Sequence, residues 1–186
     1  MSRARKRVPK EMLKPGDAAP GWDLPCAFDG RISRLRLDRI RSEMVVVFFY
    51  PRDFSFICPT EVTGFHKAQP AFRQEQTSIV GVGVDDAELH LRWSHELGGI
   101  SYPLIADEGG NLARQYGVLD EREKIAMRAT FVLNAQRIVA YSVASSINVG
   151  RSISETLRVV RALRSGRLCP ADWQPGDEFG PADQKL

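Results

Sequence analysis

The sequence predicts an α/β fold in which helices cover both faces of a central mixed β-sheet. Segments rich in β-branched and aromatic residues alternate along the chain with segments of helical periodicity. The run MVVVFFY, Met44–Tyr50, has no polar face, which is typical of a central strand covered on both sides. With 186 residues, 43% of them hydrophobic, the chain is long enough to bury a core as one domain.

The first half of the chain is predicted to contain three strands and one helix. Two strands, WDLPCAF and RISRLRL, are joined by a tight turn at Asp29–Gly30, and the central strand MVVVFFY follows. A helical pattern then runs from Pro59 to about Gln76. Pro70 is expected to bend or divide this helix, because proline lacks an N–H group and clashes with the preceding turn.

The second half continues the alternation of strands and helices. A buried strand, SIVGVGVDD, precedes a helix, DAELHLRWSHELGG, which an aspartate opens and Gly98 or Gly99 closes. The turn at Ala135–Gln136 joins two later strands, and the last helix is amphipathic and stops at Gly166. In order, the remaining segments are the strand YPLIAD, the helix EGGNLARQYGV, the strands RATFVLN and RIVAYSVAS, and the helix SISETLRVVRALRSG.

Charge and composition divide the chain into three parts. Residues 1–14 carry a net charge of +5, whereas the rest of the chain carries −2. Residues 1–14 are therefore predicted to form a solvated, disordered tail that binds neither nucleic acid nor membrane. Residues 15–166 form the domain, and residues 167–186 a C-terminal arm rich in proline and glycine. No apolar run approaches the ~20 residues of a membrane span, and the N-terminus lacks a secretory signal, so we expect a cytoplasmic protein.

The three cysteines, Cys26, Cys58 and Cys169, are widely spaced. None belongs to a CxxC pair and the histidines do not cluster with them, so the sequence supports neither a zinc site nor a dithiol CxxC centre. An odd number of distant cysteines also disfavours a secreted disulfide framework. We therefore expect reduced thiols and no metal or organic cofactor. Cys26 lies within a predicted strand and is expected to be an inert, buried thiol.

Cys58 stands where the central strand ends and a helix begins. Pro59 suits a first helical turn, which puts Cys58 at or next to the N-cap and Glu61 in the position of the acidic residue of a capping box. Unpaired N–H groups and the positive end of the helix dipole stabilise a thiolate there. Ser55 adds a hydroxyl that donates and accepts hydrogen bonds, and Pro51 fixes the chain. An ordinary buried cysteine is the alternative.

The segment YPRDFSFICPTE resembles the active-site signature of the peroxiredoxins. The proline, hydroxyl residue and cysteine of that signature correspond to Pro51, Ser55 and Cys58, and PTE matches the group that contains alkyl hydroperoxide reductase and the typical two-cysteine enzymes. The resemblance continues in order from about Lys14 to Gly176, and it implies a thioredoxin-like fold. The other matching segments are GVGVDDAELHLRW, YPLIAD, LARQYGVL, MRATFVLN, VGRSISETLRVVRAL and CPADWQPG.

The resemblance implies a role for each matching residue. Cys58 corresponds to the peroxidatic cysteine, which attacks a hydroperoxide and becomes a sulfenic acid. Ser55, where the family more often has threonine, corresponds to the hydroxyl that binds the peroxide, and Pro51 to the residue that shields the site. Arg128 corresponds to the arginine that stabilises the thiolate and the polarised O–O bond. Without the resemblance, it would be interpreted as a surface or ion-paired arginine.

Three further residues are assigned in the same way. Glu61 and Arg151 correspond to residues that orient the active-site arginine and the nearby backbone, although helix capping explains both as well. Cys169, in LCPADW, corresponds to the resolving cysteine. The resemblance implies a disulfide from Cys58 of one subunit to Cys169 of another, hence at least a homodimer and, as often in the family, a ring of dimers. A thioredoxin, a flavoprotein reductase or a dithiol adaptor would reduce this disulfide, and no motif in the sequence indicates which of these donors is used.

The chain also departs from the family pattern. HELGGISYP only partly matches the GGLG loop of members prone to overoxidation, and DEFGPADQKL lacks their Tyr-Phe pair. Local unfolding for disulfide formation should therefore be easy and the enzyme hard to overoxidise. Gly83 stands where serine is common.

Three alternatives to the two-cysteine peroxidase stay open. The assembled protein could act as a redox-responsive chaperone or peroxide relay, or as a one-cysteine peroxidase in which Cys169 does not resolve. A disulfide oxidoreductase of the same fold is the third, and the absence of a CxxC pair argues against it.

Overall fold

The alternation of strand and helix segments in the sequence is present in the computed structural model, which describes residues 11–182. The strands are β1 (Asp23–Phe28), β2 (Arg31–Arg36), β3 (Met44–Phe49), β4 (Thr77–Gly83), β5 (Leu104–Ala106), β6 (Leu119–Asp120), β7 (Ile125–Ala126), β8 (Arg128–Leu133) and β9 (Val139–Ser145). The helices are α1 (Cys58–Gln74), α2 (Ala87–Glu96), α3 (Asn111–Gln115) and α4 (Ile153–Ser165).

Seven strands form one mixed sheet in the order β2-β1-β5-β4-β3-β8-β9. The run MVVVFFY supplies its interior strand: β3 pairs in parallel with β4 and antiparallel with β8, and all six of its residues are buried. β4 in turn pairs in parallel with β5. The predicted α/β class with a central mixed sheet is therefore confirmed.

Each face of the sheet supports its own apolar core. Because side chains alternate along a strand, Val45, Val47 and Phe49 join one cluster while Val46 and Phe48 join the other. The first cluster includes residues of α3 and of the N-terminal segment. The second includes residues of α1, α2 and α4, and it also contains Cys58. The predicted covering of both faces by helices is confirmed, and the thiol lies on the three-helix face.

The sequence predicts that Pro70 bends or divides α1, and division does not occur. α1 is continuous from Cys58 to Gln74, with Pro70 exposed inside it. Phe65 and Phe72, on either side of the proline, are fully buried, so tertiary packing offsets the lost backbone hydrogen bond. None of the helices in the described part of the chain is both long enough and apolar enough to span a membrane.

Two short elements were not predicted. One is a 3-10 turn at Leu37–Arg39, and the other is the hairpin formed by β6 and β7. Each strand of this hairpin has only two residues, which is too short for a periodic pattern to reveal.

Both ends of the described chain pack against the domain. Of the predicted tail, residues 1–10 lie outside the described residues, but Leu13 is buried and its N–H donates to the Tyr116 carbonyl at 3.1 Å. Core packing thus begins before residue 15. The predicted arm has no helix or strand between residues 167 and 182, and its last four residues are outside the description. Trp173 is buried, and its carbonyl accepts a hydrogen bond from Arg158 Nη1 at 3.1 Å.

Replacing Phe131 tests the packing on the first face. Phe131 is fully buried on β8, and its ring packs edge-on against Phe49 and Tyr116 with centroids 5.9 and 5.0 Å apart. We expect Phe131→Ala to lower the free energy of unfolding, measured in urea, by about 3–5 kcal/mol. Val143→Ala, at a position 39% exposed on the neighbouring strand, is the control and should change it by less than about 0.5 kcal/mol. Equal effects of the two variants would contradict this packing.

Candidate active site

Cys58 is the first residue of α1, next to an N-cap formed by Ile57. Pro59 follows within the first turn, as the sequence predicted. The cysteine is completely buried, and its backbone N–H points to Ser55 Oγ at 3.4 Å. The loop after β3 therefore brings a thiol and a hydroxyl together at the start of a helix.

Arg128 approaches this thiol from β8. The residue is 4% exposed, and its Nη1 lies 3.4 Å from Cys58 Sγ. Nη1 also donates to Glu61 Oε2 at 2.5 Å, and Nε donates to the Ile147 carbonyl at 2.7 Å. A cation fixed this close to sulfur stabilises the thiolate by direct electrostatic attraction. The sequence alone missed the Ile147 contact, because a backbone carbonyl leaves no signal in residue type.

Glu61 does not act as a capping residue, so that prediction is wrong. Its buried carboxylate accepts hydrogen bonds from Arg128, from the backbone N–H of Arg151 at 3.0 Å and from Arg151 Nε at 2.9 Å. Two buried guanidinium groups bind the carboxylate more strongly than a backbone N–H would. The cluster contains two cations and one carboxylate, so a thiolate at Cys58 brings its charge to zero. Because uncompensated buried charge is costly, such a cluster can accommodate a negative charge on the sulfur.

Arg151 joins the elements that meet at the site. Its Nη2 donates to the Phe49 carbonyl at 2.6 Å, and its Nη1 donates to the Ala129 carbonyl at 2.8 Å and to Thr130 Oγ1 at 3.2 Å. Burial lowers the pKa of Arg151, and Glu61 opposes that shift. The side chain thus ties β3 and β8 to the first turn of α1 through Glu61.

The surroundings of the site are apolar and partly exposed. Pro51, directly after β3, is buried. Phe56, two residues before the cysteine, is 95% exposed. Ile147, whose carbonyl binds Arg128, and Val149, two residues later, are 53% and 52% exposed. Over residues 11–182 no group of three or more His, Cys, Asp or Glu side chains is arranged to bind a metal ion. The chemistry that these side chains support is nucleophilic attack by sulfur beside a cation and a hydroxyl.

The other two cysteines lie in different surroundings. All three thiols are free. Cys169 is partly exposed after α4, and its Sγ lies 3.5 Å from Ser165 Oγ and 3.6 Å from the Arg167 carbonyl. Cys26 is 1% exposed on β1, with its Sγ 3.3 Å from Ser33 Oγ. Within one chain the structure therefore brings Ser55, Glu61, Arg128 and Arg151 together with Cys58, whereas the contacts of Cys169 are with α4 and the residues that follow it.

Comparisons with known proteins give one consistent result. The profile of the AhpC/TSA family matches residues 15–142. The chain is 35% identical over 183 residues to the chloroplastic 2-Cys peroxiredoxin BAS1 of Arabidopsis thaliana, covering 92% of this chain and 69% of that protein. The structure of Mycobacterium tuberculosis AhpC is similar to this one with a TM-score of 0.80 and 30% sequence identity. The match covers 88% of this chain and 99% of that chain. The structure of reduced Plasmodium vivax 2-Cys peroxiredoxin is similar with a TM-score of 0.83 and 29% sequence identity. That match covers 89% of this chain and 91% of that chain.

Differential alkylation tests the surroundings of Cys26. Burial raises the pKa of this thiol, so less of it is the reactive thiolate at neutral pH. We expect iodoacetamide at pH 7 to label Cys26 far more slowly than the partly exposed Cys169, and its labelling to accelerate as the pH rises. Peptide mass spectrometry of quenched samples measures both rates, and equal rates in the folded protein would show that Cys26 is not buried.

Proposed function

Because this chain belongs to the AhpC/TSA family of peroxiredoxins and is a thiol-dependent peroxidase, we propose that it reduces hydrogen peroxide and organic hydroperoxides through Cys58. The observation that carries this assignment is the 3.4 Å contact between Cys58 Sγ and the Arg128 guanidinium in a buried site. A buried sulfur next to a fixed cation is a stabilised nucleophile, and the same cation faces the oxygen that acquires negative charge.

The proposed first step transfers one oxygen atom to sulfur. The Cys58 thiolate attacks the distal peroxide oxygen, the O–O bond breaks, and the leaving oxygen takes a proton and departs as water or an alcohol. Arg128 stabilises the charge on that leaving oxygen. Ser55 Oγ accepts from the Cys58 N–H, so its own proton is available to donate to the peroxide. Pro51, buried beside the loop, shields the site from water.

Glu61 and Arg151 are proposed to keep these groups aligned. Glu61 holds the Arg128 guanidinium at the sulfur, and Arg151 holds Glu61 while it binds the carbonyl groups of β3 and β8. Neither residue needs to touch the peroxide. Their contribution is a cation that is already in place before the peroxide arrives.

The second step is proposed to use Cys169. The sulfenic acid at Cys58 condenses with that thiol, giving a disulfide and releasing water. Following the family resemblance, we assign the partner thiol to a second subunit and the active unit to a homodimer. Within its own chain, Cys169 contacts α4 and the arm. Cys58 is fully buried, so the first turn of α1 must open locally for the second sulfur to reach it.

The remaining details of the cycle stay predictions. A thioredoxin, a flavoprotein reductase or a dithiol adaptor would reopen the disulfide by thiol exchange. Assembly into a ring of dimers, resistance to overoxidation and a cytoplasmic location also stay predictions, and some relatives are named as chloroplastic.

Non-reducing gel electrophoresis after stoichiometric hydrogen peroxide tests this scheme. The wild-type protein should form a covalent dimer that dithiothreitol reverses, because one disulfide then joins two subunits. The dimer should be lost in Cys58→Ser and in Cys169→Ser, whereas Cys26→Ser, which replaces an inert thiol, should retain it.

Two results would contradict parts of the scheme. A dimer that persists in Cys169→Ser would assign resolution to Cys26. Peroxide turnover that is undiminished in Cys169→Ser would favour the one-cysteine alternative. Turnover that survives Cys58→Ser would remove the basis of the whole proposal, whereas protection of client proteins by that variant would support the chaperone alternative.

A further inference from the structure

A buried, hydrogen-bonded pair of side chains, His90 and Asp53, adjoins the loop that carries Ser55. His90 Nδ1, on α2, is 2.6 Å from Asp53 Oδ2, and both side chains are 0% exposed. His90 Nε2 lies 3.1 Å from the Ile105 carbonyl. A carbonyl only accepts hydrogen bonds, so Nε2 carries a proton, and the histidine links the strand β5 to the loop between β3 and α1.

Asp53 is held on two further sides. Its other carboxylate oxygen accepts a hydrogen bond from the Tyr50 hydroxyl at 3.0 Å, and its backbone N–H donates to Asp85 Oδ2 at 2.8 Å. Gly83 leaves room for this cluster, because a Cβ there would lie 2.9 Å from His90 Cε1 and 2.9 Å from the Tyr50 hydroxyl oxygen. The glycine that departs from the family pattern is therefore what the packing of His90 and Tyr50 requires.

The next residue, Phe54, has a strained backbone. Its φ is 54°, in the left-handed region that bulky side chains rarely adopt. Such a conformation costs free energy and persists only where the surroundings enforce it. On one side Asp53 is fixed by the buried pair, and on the other Ser55 accepts from the Cys58 N–H. The strained turn at Phe54 thus lies between two residues that hydrogen bonds hold in place.

We propose that His90 is a positioning residue for the peroxidase reaction. Through Asp53 it holds the β3–α1 loop in the strained conformation that places Ser55 beside Cys58. This inference rests on the proposed function of Ser55 and Cys58, and none of the hydrogen bonds of His90 is made to either residue. Its effect on the reaction is exerted through the loop, because its contacts are with Tyr50, Asp53 and Ile105.

The rate constant of Cys58 with hydrogen peroxide, divided by its rate constant with iodoacetamide, distinguishes a positioning role of His90 from a role in stability alone. Reaction with hydrogen peroxide, followed by stopped flow, needs the hydroxyl in place, whereas alkylation by iodoacetamide needs only an accessible thiolate. We expect His90→Gln, whose amide reaches the Ile105 carbonyl but not Asp53, to lower the peroxide rate constant on the order of 10- to 100-fold. The alkylation rate should stay constant or rise, because a looser loop exposes the sulfur.

Two variants show whether the contact with Asp53 is responsible. His90→Asn puts an amide group near the position of Nδ1, where it can hydrogen-bond to Asp53, so it should recover most of the wild-type ratio of peroxide to alkylation rates. Tyr50→Phe removes a single oxygen that bonds Asp53, and it should lower the ratio severalfold even if the His90 variants do not fold.

Asp107→Asn is the matched control. Asp107 is another buried carboxylate, but it accepts from the backbone N–H groups of Leu112 and Ala113 at 2.8 Å each, at the start of α3. This variant should lower stability and leave the ratio unchanged.

The outcomes distinguish this inference from the function on which it rests. Wild-type ratios in His90→Gln and Tyr50→Phe would overturn the inference, as would equal losses in His90→Asn and His90→Gln. Parallel falls of both rates with the folded fraction would show a structural role alone and overturn it too. A wild-type protein that reacts slowly with peroxide would instead contradict the proposed function.

Discussion

The site depends on one carboxylate that is shared between two buried arginines. Glu61 binds Arg128 and Arg151 at a point where none of the three side chains is more than 5% exposed. Leaving either guanidinium unpaired there would be costly, so the cluster fixes its own geometry. It also carries one excess positive charge, and the sulfur of Cys58 lies beside it, 3.4 Å from Arg128 Nη1. We therefore propose that the structure of the site and the reactivity of Cys58 have the same electrostatic origin.

The fold supplies three elements that meet at this cluster. β8 provides Arg128, the first turn of α1 provides Glu61 and Cys58, and the segment before α4 provides Arg151. β3 lies between them as a fully buried strand, and its last carbonyl, that of Phe49, binds Arg151. A rigid interior strand thus sets where the loop toward the cysteine begins. The two apolar cores keep that strand fixed on both faces.

The sequence predicted those features that rest on local patterns. The apolar run of β3 indicated an interior strand, and Pro59 indicated that a helix begins at Cys58. Arg128 and Arg151 could not be found in this way, because they are 70 and 90 residues from their partners Cys58 and Glu61, and only the family resemblance pointed to them. For the same reason local patterns assigned Glu61 to a helix cap, although tertiary ion pairs bind it more strongly. The continuity of α1 through Pro70 likewise depends on packing that no local rule contains.

The reaction of the Arg128→Met variant with hydrogen peroxide is the most direct test of the central claim, that a fixed cation makes Cys58 reactive. Methionine fills similar space without the charge. Stopped-flow mixing should give a second-order rate constant reduced about 100-fold or more, because both the thiolate and the leaving oxygen lose their stabilising cation. Arg114, on α3, forms an ion pair with Glu121 at the surface, and Arg114→Met, which removes that pair, should react like the wild-type protein. A rate constant for Arg128→Met within about threefold of wild type would contradict the account.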